Sequence, residues 1–145
     1  MSAAGANQSA FVEKWLTAEP WHRLLLVFEP SATRPVRTLL ECIGFELRQA
    51  ALTLSDPRLV QVKLDWWLQE WAQFAAGSPR HPLTVALPML ADEALVERGQ
   101  RWVLAAAALA HEDSDADASG LITRWQGFAD AQATLSSMWL PGEDA

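Results

Sequence analysis

Apolar side chains recur every three or four positions through almost the whole chain, which is the spacing of helices with one buried face. No stretch alternates apolar and polar residues as a half-buried strand does, and no Asn-Gly or Asp-Gly pair marks a hairpin turn. The pattern predicts a single all-α domain over residues 1–145, built mainly as an antiparallel helical bundle.

Prolines, glycines and capping residues divide this pattern into six or seven helices. Five of them are predicted over residues 9–18, 21–28, 33–54, 82–90 and 121–140. Of the others, one begins after Asp56 and stops at Gly77, and one is capped by Asp92. Segment 111–120 has four carboxylates and no apolar side chain larger than alanine, so we predict an acidic linker within the domain.

The helix after Asp56 carries three of the eight tryptophans, Trp66, Trp67 and Trp71. Steps of three and four place one apolar stripe on a single face: Val60, Leu64, Trp67, Trp71 and Phe74. We predict that this face is buried against the preceding long helix, at Ile43 and Leu47. Tryptophans at helical spacing are typical of a core, but they also suit the wall of a prenyl or lipid pocket, and the pattern leaves both interpretations open.

The net charge of −7 argues against a nucleic-acid partner, which requires a basic surface. The single cysteine, Cys42, excludes an intrachain disulfide and a cysteine-based zinc site. No secretory signal precedes the first helix, and the longest apolar run, residues 102–110, is too short to span a bilayer. We therefore expect no transmembrane segment and a location in the cytoplasm or at the periphery of a membrane.

Candidate metal ligands and nucleophiles are few. Asp113, Asp115 and Asp117 form the one dense carboxylate cluster, but a spacing of two does not bring side chains together on a helix, and we interpret it as a solvated loop. Cys42 lies in an apolar helical stretch and is expected to be a small buried residue. His81, before Pro82, is expected at a turn that starts a helix. We predict no metal site.

A family resemblance rests on the tryptophan helix and the turn that follows it. The segment LSDPRLVQVKLDWWLQEWAQFAAGSPRHPLTVAL resembles the squalene/phytoene synthase family, in which a basic-Leu-x-Trp-Trp helix is followed by His-Pro and a short helix ending in Ala-Leu. The matching residues are Pro57, Lys63, Leu64, Trp66, Trp67, Gly77, His81, Pro82, Ala86 and Leu87. The resemblance implies an isoprenoid-synthase-like fold, of which this chain covers the N-terminal half.

The resemblance also implies where a prenyl diphosphate would bind. The candidate substrate-binding residues are Glu46, Arg48, Lys63, Trp66, Trp67 and His81. Family enzymes carry an aspartate-rich motif for Mg²⁺ on the early long helix, where this chain has Glu-Leu-Arg-Gln-Ala at 46–50. Ionising an allylic diphosphate requires clustered carboxylates, so the catalytic residues and the question of enzymatic activity stay open.

Three hypotheses follow for the function. The first is a squalene/phytoene-synthase-like protein without metal-dependent prenyl transfer, acting as a prenyl- or lipid-binding or accessory protein. The second is a head-to-head prenyl diphosphate transferase that needs Mg²⁺ and the missing C-terminal half. The third is a helical protein-interaction module. Because a half-length relative would leave helix faces uncovered, we expect a homo-oligomer or a complex with a partner protein.

Overall fold

A computed structural model describes residues 3–110 and 117–140, and over these residues it is entirely helical. The described chain forms seven helices: α1 (Ala3–Ala18), α2 (Trp21–Phe28), α3 (Arg34–Leu52), α4 (Pro57–Ala75), α5 (Pro82–Ala86), α6 (Ala94–Leu109) and α7 (Ala118–Ser136). The predicted all-α class is confirmed, with no strand among the described residues.

The ends of α4 follow the capping chemistry that the sequence predicts. The Asp56 side chain accepts a hydrogen bond from the backbone N–H of Arg58 at 2.9 Å, and Pro57 opens the helix. At the other end Gly77 has a φ of 80°, a left-handed conformation that glycine adopts without a Cβ penalty. These two signals place the tryptophans of α4 in a fixed register.

Helix α3 lies at the centre of the bundle and contacts α1, α4, α5, α6 and α7. Helix α7 runs antiparallel to α6, because Trp102 meets Phe128 while Arg98, four residues earlier, donates to the carbonyl of Thr134, six residues later. Helix α4 is likewise antiparallel to α6. Trp71, near the end of α4, lies against Gly99, near the start of α6, and the start of α4 and the end of α6 border one hollow. The mainly antiparallel arrangement is thus observed for these neighbours.

The predicted apolar stripe of α4 is buried from Leu64 to Phe74, with Trp71 and Phe74 fully enclosed, while Val60 at its start is partly buried. The ring of Trp71 approaches Gly99 of α6 so closely that a Cβ there would lie 2.5 Å from it. Its ring centroid is 6.3 Å from that of Trp102, also on α6. Ile43 and Leu47 of α3 are buried in the same core, as predicted. The close contacts of Trp71 with Gly99 and Trp102 show that α6 also covers this face.

Several predicted helix boundaries were wrong by a turn or more. Helix α1 begins at Ala3 rather than at Ser9, because the Ser9 hydroxyl bonds back to the Gly5 carbonyl inside the helix instead of capping it. Helix α5 ends at Ala86 rather than at 90, since Pro88 disfavours helical geometry at the residue before it.

The acidic linker is shorter than predicted where the structure describes it. Asp117 is the N-cap of α7, accepting from the backbone N–H of Gly120 at 2.9 Å, so residues 118–120 are the first helical turn. Asp113 and Asp115 lie outside the described residues. Helix α7 ends at Ser136 rather than at Leu140, and Trp139 beyond it donates its indole N–H to the carbonyl of Pro88.

Candidate functional site

A pocket of about 380 Å³ opens between α1, α3, α4 and the turn before α5. Its described lining combines charged and polar side chains with an aromatic wall: Lys14, Glu46, Gln49, Ala50, Thr53, Lys63, Trp66, Trp67 and His81. The groups come from four separate parts of the chain, so the folded bundle is needed to assemble them.

Both lysines of the chain line this pocket, although the sequence contains nine arginines besides. Lys14 Nζ lies 2.7 Å from Glu46 Oε1, and the Glu46 side chain is only 14% exposed. Lys63 enters from α4 and has no ion-pair partner among the described residues. With His81 neutral, the lining carries two positive charges and one negative charge, a net +1 within a chain of net charge −7.

The aromatic wall is built around the imidazole of His81. Its ring centroid lies 4.6 Å from Phe11, 4.8 Å from Trp67 and 5.8 Å from Trp66. Trp66 and Trp67 meet edge to face at 5.5 Å, a favoured geometry for aromatic pairs. Trp71 is fully enclosed in the core, whereas Trp67 is buried in the core and also borders the pocket, and Trp66 is partly buried beside it.

His81 is held in one tautomer by the helix that it caps. Its Nδ1 accepts the backbone N–H of Leu83 at 3.2 Å, so the neutral ring carries its proton on Nε2. Burial lowers the pKa of His81 below its usual value of 6.5, against the opposing effect of the Glu46 and Glu70 carboxylates. The imidazole is therefore neutral at pH 7 and offers a donor without a charge.

Glu70 is a buried carboxylate that sequence reasoning missed. Its Oε1 accepts from the backbone N–H groups of Arg80 and His81, at 2.8 and 2.9 Å, and from the hydroxyl of Thr84. Its Oε2 lies 3.5 Å from Arg80 Nε and has no hydrogen bond. A signal was available, since Glu70 falls three residues after Trp67 on the buried face of α4, where a carboxylate needs partners.

These bonds make Glu70 a positioning residue for the pocket. They fix the backbone of residues 80 and 81 to α4, which sets the ring of His81 against the aromatic wall. The guanidinium of Arg80, whose Nε lies 3.5 Å from Glu70 Oε2, is over the ring of Trp66, at 5.4 Å from its centroid.

Five of the six predicted site residues line the one pocket: Glu46, Lys63, Trp66, Trp67 and His81. Arg48 does not. Its guanidinium donates to both carboxylate oxygens of Glu19 at 3.0 Å and lies over the ring of Phe128. Side chains two positions apart on a helix point to different faces, so Glu46 and Arg48 do not face one site.

The pocket is more polar than a prenyl channel would require. A second hollow, of about 610 Å³, is lined mostly by apolar residues and lies where α3 ends and α4 begins, beside the end of α6. None of the predicted site residues lines it. In residues 3–110 and 117–140 no three His, Cys, Asp or Glu side chains are grouped closely enough to hold a metal ion. No helix in that part combines the length and apolarity that a bilayer crossing requires.

No protein-family model, no curated protein sequence and no solved structure matches this chain. The likeness to squalene/phytoene synthases therefore rests on the quoted residues alone.

Proposed function

We propose that this protein binds a prenyl diphosphate, or a related anionic lipid, without transferring the prenyl group, and acts as a squalene/phytoene-synthase-like binding or accessory protein. The observation that carries the proposal is the shared pocket of Lys14, Lys63 and the Trp66–Trp67–His81 wall. Cationic side chains beside an aromatic wall suit a ligand with an anionic head group attached to an apolar chain.

The pocket volume supports an anionic head group as the part that is enclosed. A volume of about 380 Å³ lies at the small end of the roughly 300–1,000 Å³ that ligand pockets have. A diphosphate and the first carbons of its prenyl chain fill that space. The remainder of a long chain would extend from the pocket along the surface.

The charges of the pocket support binding rather than metal-dependent ionisation. Mg²⁺ bridges a diphosphate to a protein through carboxylates that are free to coordinate it. Glu46 is the one carboxylate among the described lining residues, and it is already paired with Lys14. Lys63, which has no ion-pair partner among the described residues, can instead pair with the diphosphate directly, as ammonium groups commonly do.

A helical interaction module would require no groove beside Glu46 and Trp66. The presence of the pocket there therefore favours the binding proposal over that hypothesis. The prenyl transferase hypothesis differs in the role it gives to Glu46. As a metal ligand, Glu46 would be required for activity; in a binding pocket without metal, it opposes the ligand and withholds Lys14 from it.

Calorimetric titration with farnesyl diphosphate tests the proposal through two opposite changes. Lys63→Gln is expected to raise Kd about fivefold, because one charge at about 4 Å contributes roughly 1 kcal/mol in water. Glu46→Gln is expected to lower Kd by a similar factor, since it removes a repulsive charge and releases Lys14. Arg58→Gln, on the same helix but outside the pocket lining, is the matched control and should leave Kd unchanged.

The same proteins incubated with labelled prenyl diphosphate and Mg²⁺ distinguish the alternatives. Formation of squalene or phytoene that Glu46→Gln abolishes would establish the transferase hypothesis instead. Absence of farnesyl diphosphate binding by the unaltered protein, under conditions where circular dichroism shows its helices intact, would refute the binding proposal.

A further inference from the structure

Three polar groups of the pocket have no hydrogen-bond or ion-pair partner in the part of the chain that the structure describes. They are the side-chain amide of Gln49, the ammonium of Lys63 and the Nε2–H of His81. Gln49 lies on α3, Lys63 on α4 and His81 in the turn before α5. Each of these groups can donate a hydrogen bond, and with His81 neutral only Lys63 is charged.

The other charged and hydroxyl groups of the described lining are already engaged. Lys14 Nζ lies 2.7 Å from Glu46 Oε1, and 6.0 and 5.7 Å from the ring centroids of Phe11 and Phe45. The hydroxyl of Thr53 donates to a backbone carbonyl of α3 at 2.6 Å. Withdrawing Lys14 from these contacts would leave the carboxylate of Glu46 without its cation, which is costly for a group with little exposure.

The number of unpaired donors matches the terminal oxygens of one phosphate group. A phosphate monoester has three strong acceptor oxygens, and the pocket offers three donor groups from three separate elements. A carboxylate has two oxygens, so it would leave one of these groups without a partner. The donors therefore favour a phosphate head group over a carboxylate.

The charge of the pocket favours one phosphate over two. A phosphate monoester carries about 1.5–2 negative charges at pH 7, and a diphosphate carries roughly one more. The described lining has one unpaired ammonium, on Lys63, and Glu46 repels any anion. In residues 3–110 and 117–140 no group of carboxylates could bring a metal ion to neutralise the additional charge. That charge would be enclosed without a partner, which costs binding free energy.

We propose that the pocket selects a prenyl monophosphate over the corresponding diphosphate, with Gln49, Lys63 and His81 donating to the phosphate oxygens and the first carbons of the chain beside Trp66 and Trp67. The diphosphate is then the weaker of two ligands. This inference rests on the proposed binding function and adds Gln49 to the site as a specificity-determining residue.

Calorimetric titration of the full chain with farnesyl monophosphate and farnesyl diphosphate, in the presence of EDTA, tests the selectivity. The Kd for the monophosphate is expected to be about fivefold lower, the factor that one charge at about 4 Å contributes in water. Gln49→Met keeps the length of the side chain but removes its amide, and should raise the Kd for the monophosphate about fivefold. Gln69→Met is the matched control, because Gln69 is exposed on α4 and outside the pocket lining.

Gln49→Arg tests the charge argument by a gain of affinity. It adds a second cation to the lining, so it should lower the Kd for the diphosphate more than that for the monophosphate and remove the preference. An unchanged preference in Gln49→Arg, or equal effects of Gln49→Met and Gln69→Met, would overturn the role of Gln49.

The unaltered protein separates failure of this inference from failure of the binding function. Diphosphate binding as tight as monophosphate binding, or tighter, would overturn the selectivity and leave the binding function standing. Binding of neither ligand would refute the binding function itself. Circular dichroism of each variant checks that the helices are intact.

Discussion

His81 joins the stability of a turn to the shape of the pocket. Its Nδ1 caps α5 while its ring packs between Phe11 and Trp67, so a proton on the ring would disturb both contacts. Burial is the main cause of its lowered pKa, opposed by Glu46 and Glu70 and reinforced by Lys14. The unfolded chain, in which His81 is exposed, binds a proton more readily than the folded protein does.

Stability should therefore depend on pH through His81. At a pH above about 6.5 the residue is neutral in both states, and below that value the unfolded state takes up a proton that the folded state resists. The free energy of unfolding is expected to fall as the pH drops from about 7.5 towards 5.5. Asparagine caps a helix without titrating, so His81→Asn should show a smaller fall in urea unfolding experiments. Identical pH profiles would contradict the assignment.

At the residue scale, the sequence identified the aromatic residues of the pocket more completely than its charged residues. Trp66, Trp67 and His81 belong to one contiguous motif, and a motif fixes its own local geometry. The structure does not bring Arg48 to the pocket of Glu46, because proximity along a helix does not place two side chains on one face. Lys14 could not be found from sequence, since it reaches the pocket from α1 and belongs to no motif.

Helices α4 and α6 approach each other at Gly99, where the ring of Trp71 occupies the place of a side chain. The fused rings of the Trp71 indole are rigid, so they cannot move aside as the end of a flexible side chain can. A methyl group at this position therefore forces the helices apart or displaces Trp71 from the core.

Two glycine substitutions are expected to change stability in opposite directions. Gly99→Ala should lower the free energy of unfolding by about 1–3 kcal/mol through overpacking. Gly127→Ala in α7, where nothing lies within 4 Å of the new methyl group, should raise it by about 0.5–1 kcal/mol, because alanine loses less backbone freedom in a helix. Thermal or urea unfolding measures both, and equal effects would mean that the Trp71 contact relaxes freely.

The elements themselves were predicted where caps and prolines mark them. Helix α4 begins directly after Asp56 and ends just before Gly77. Helix α1 begins six residues before Ser9, because the alanine and glycine residues there carry no signal that stops a helix. Periodicity shows which face of a helix is buried but not which helix covers it. For that reason the burial of Trp71 was predicted correctly while its close partner, α6, was not.

At the scale of the whole molecule, the described residues share one hydrophobic core that includes side chains from α1, α3, α4, α5, α6 and α7, with α3 in contact with five other helices. No part of this core is independent of α3. We therefore expect a single cooperative unfolding transition, as small domains with one core usually show. Unfolding curves from tryptophan fluorescence and from far-ultraviolet circular dichroism should coincide, and a separate early transition would indicate that one pair of helices folds alone.

The placement of the two lysines has a practical consequence for chemistry in solution. A reagent that acylates primary amines can modify the side chains of Lys14 and Lys63, and both border the same pocket. Side-chain acylation of this protein therefore reports on one location, without any engineered label. A ligand that occupies the pocket will slow both modifications together, and mass spectrometry of the intact chain can follow its occupancy molecule by molecule.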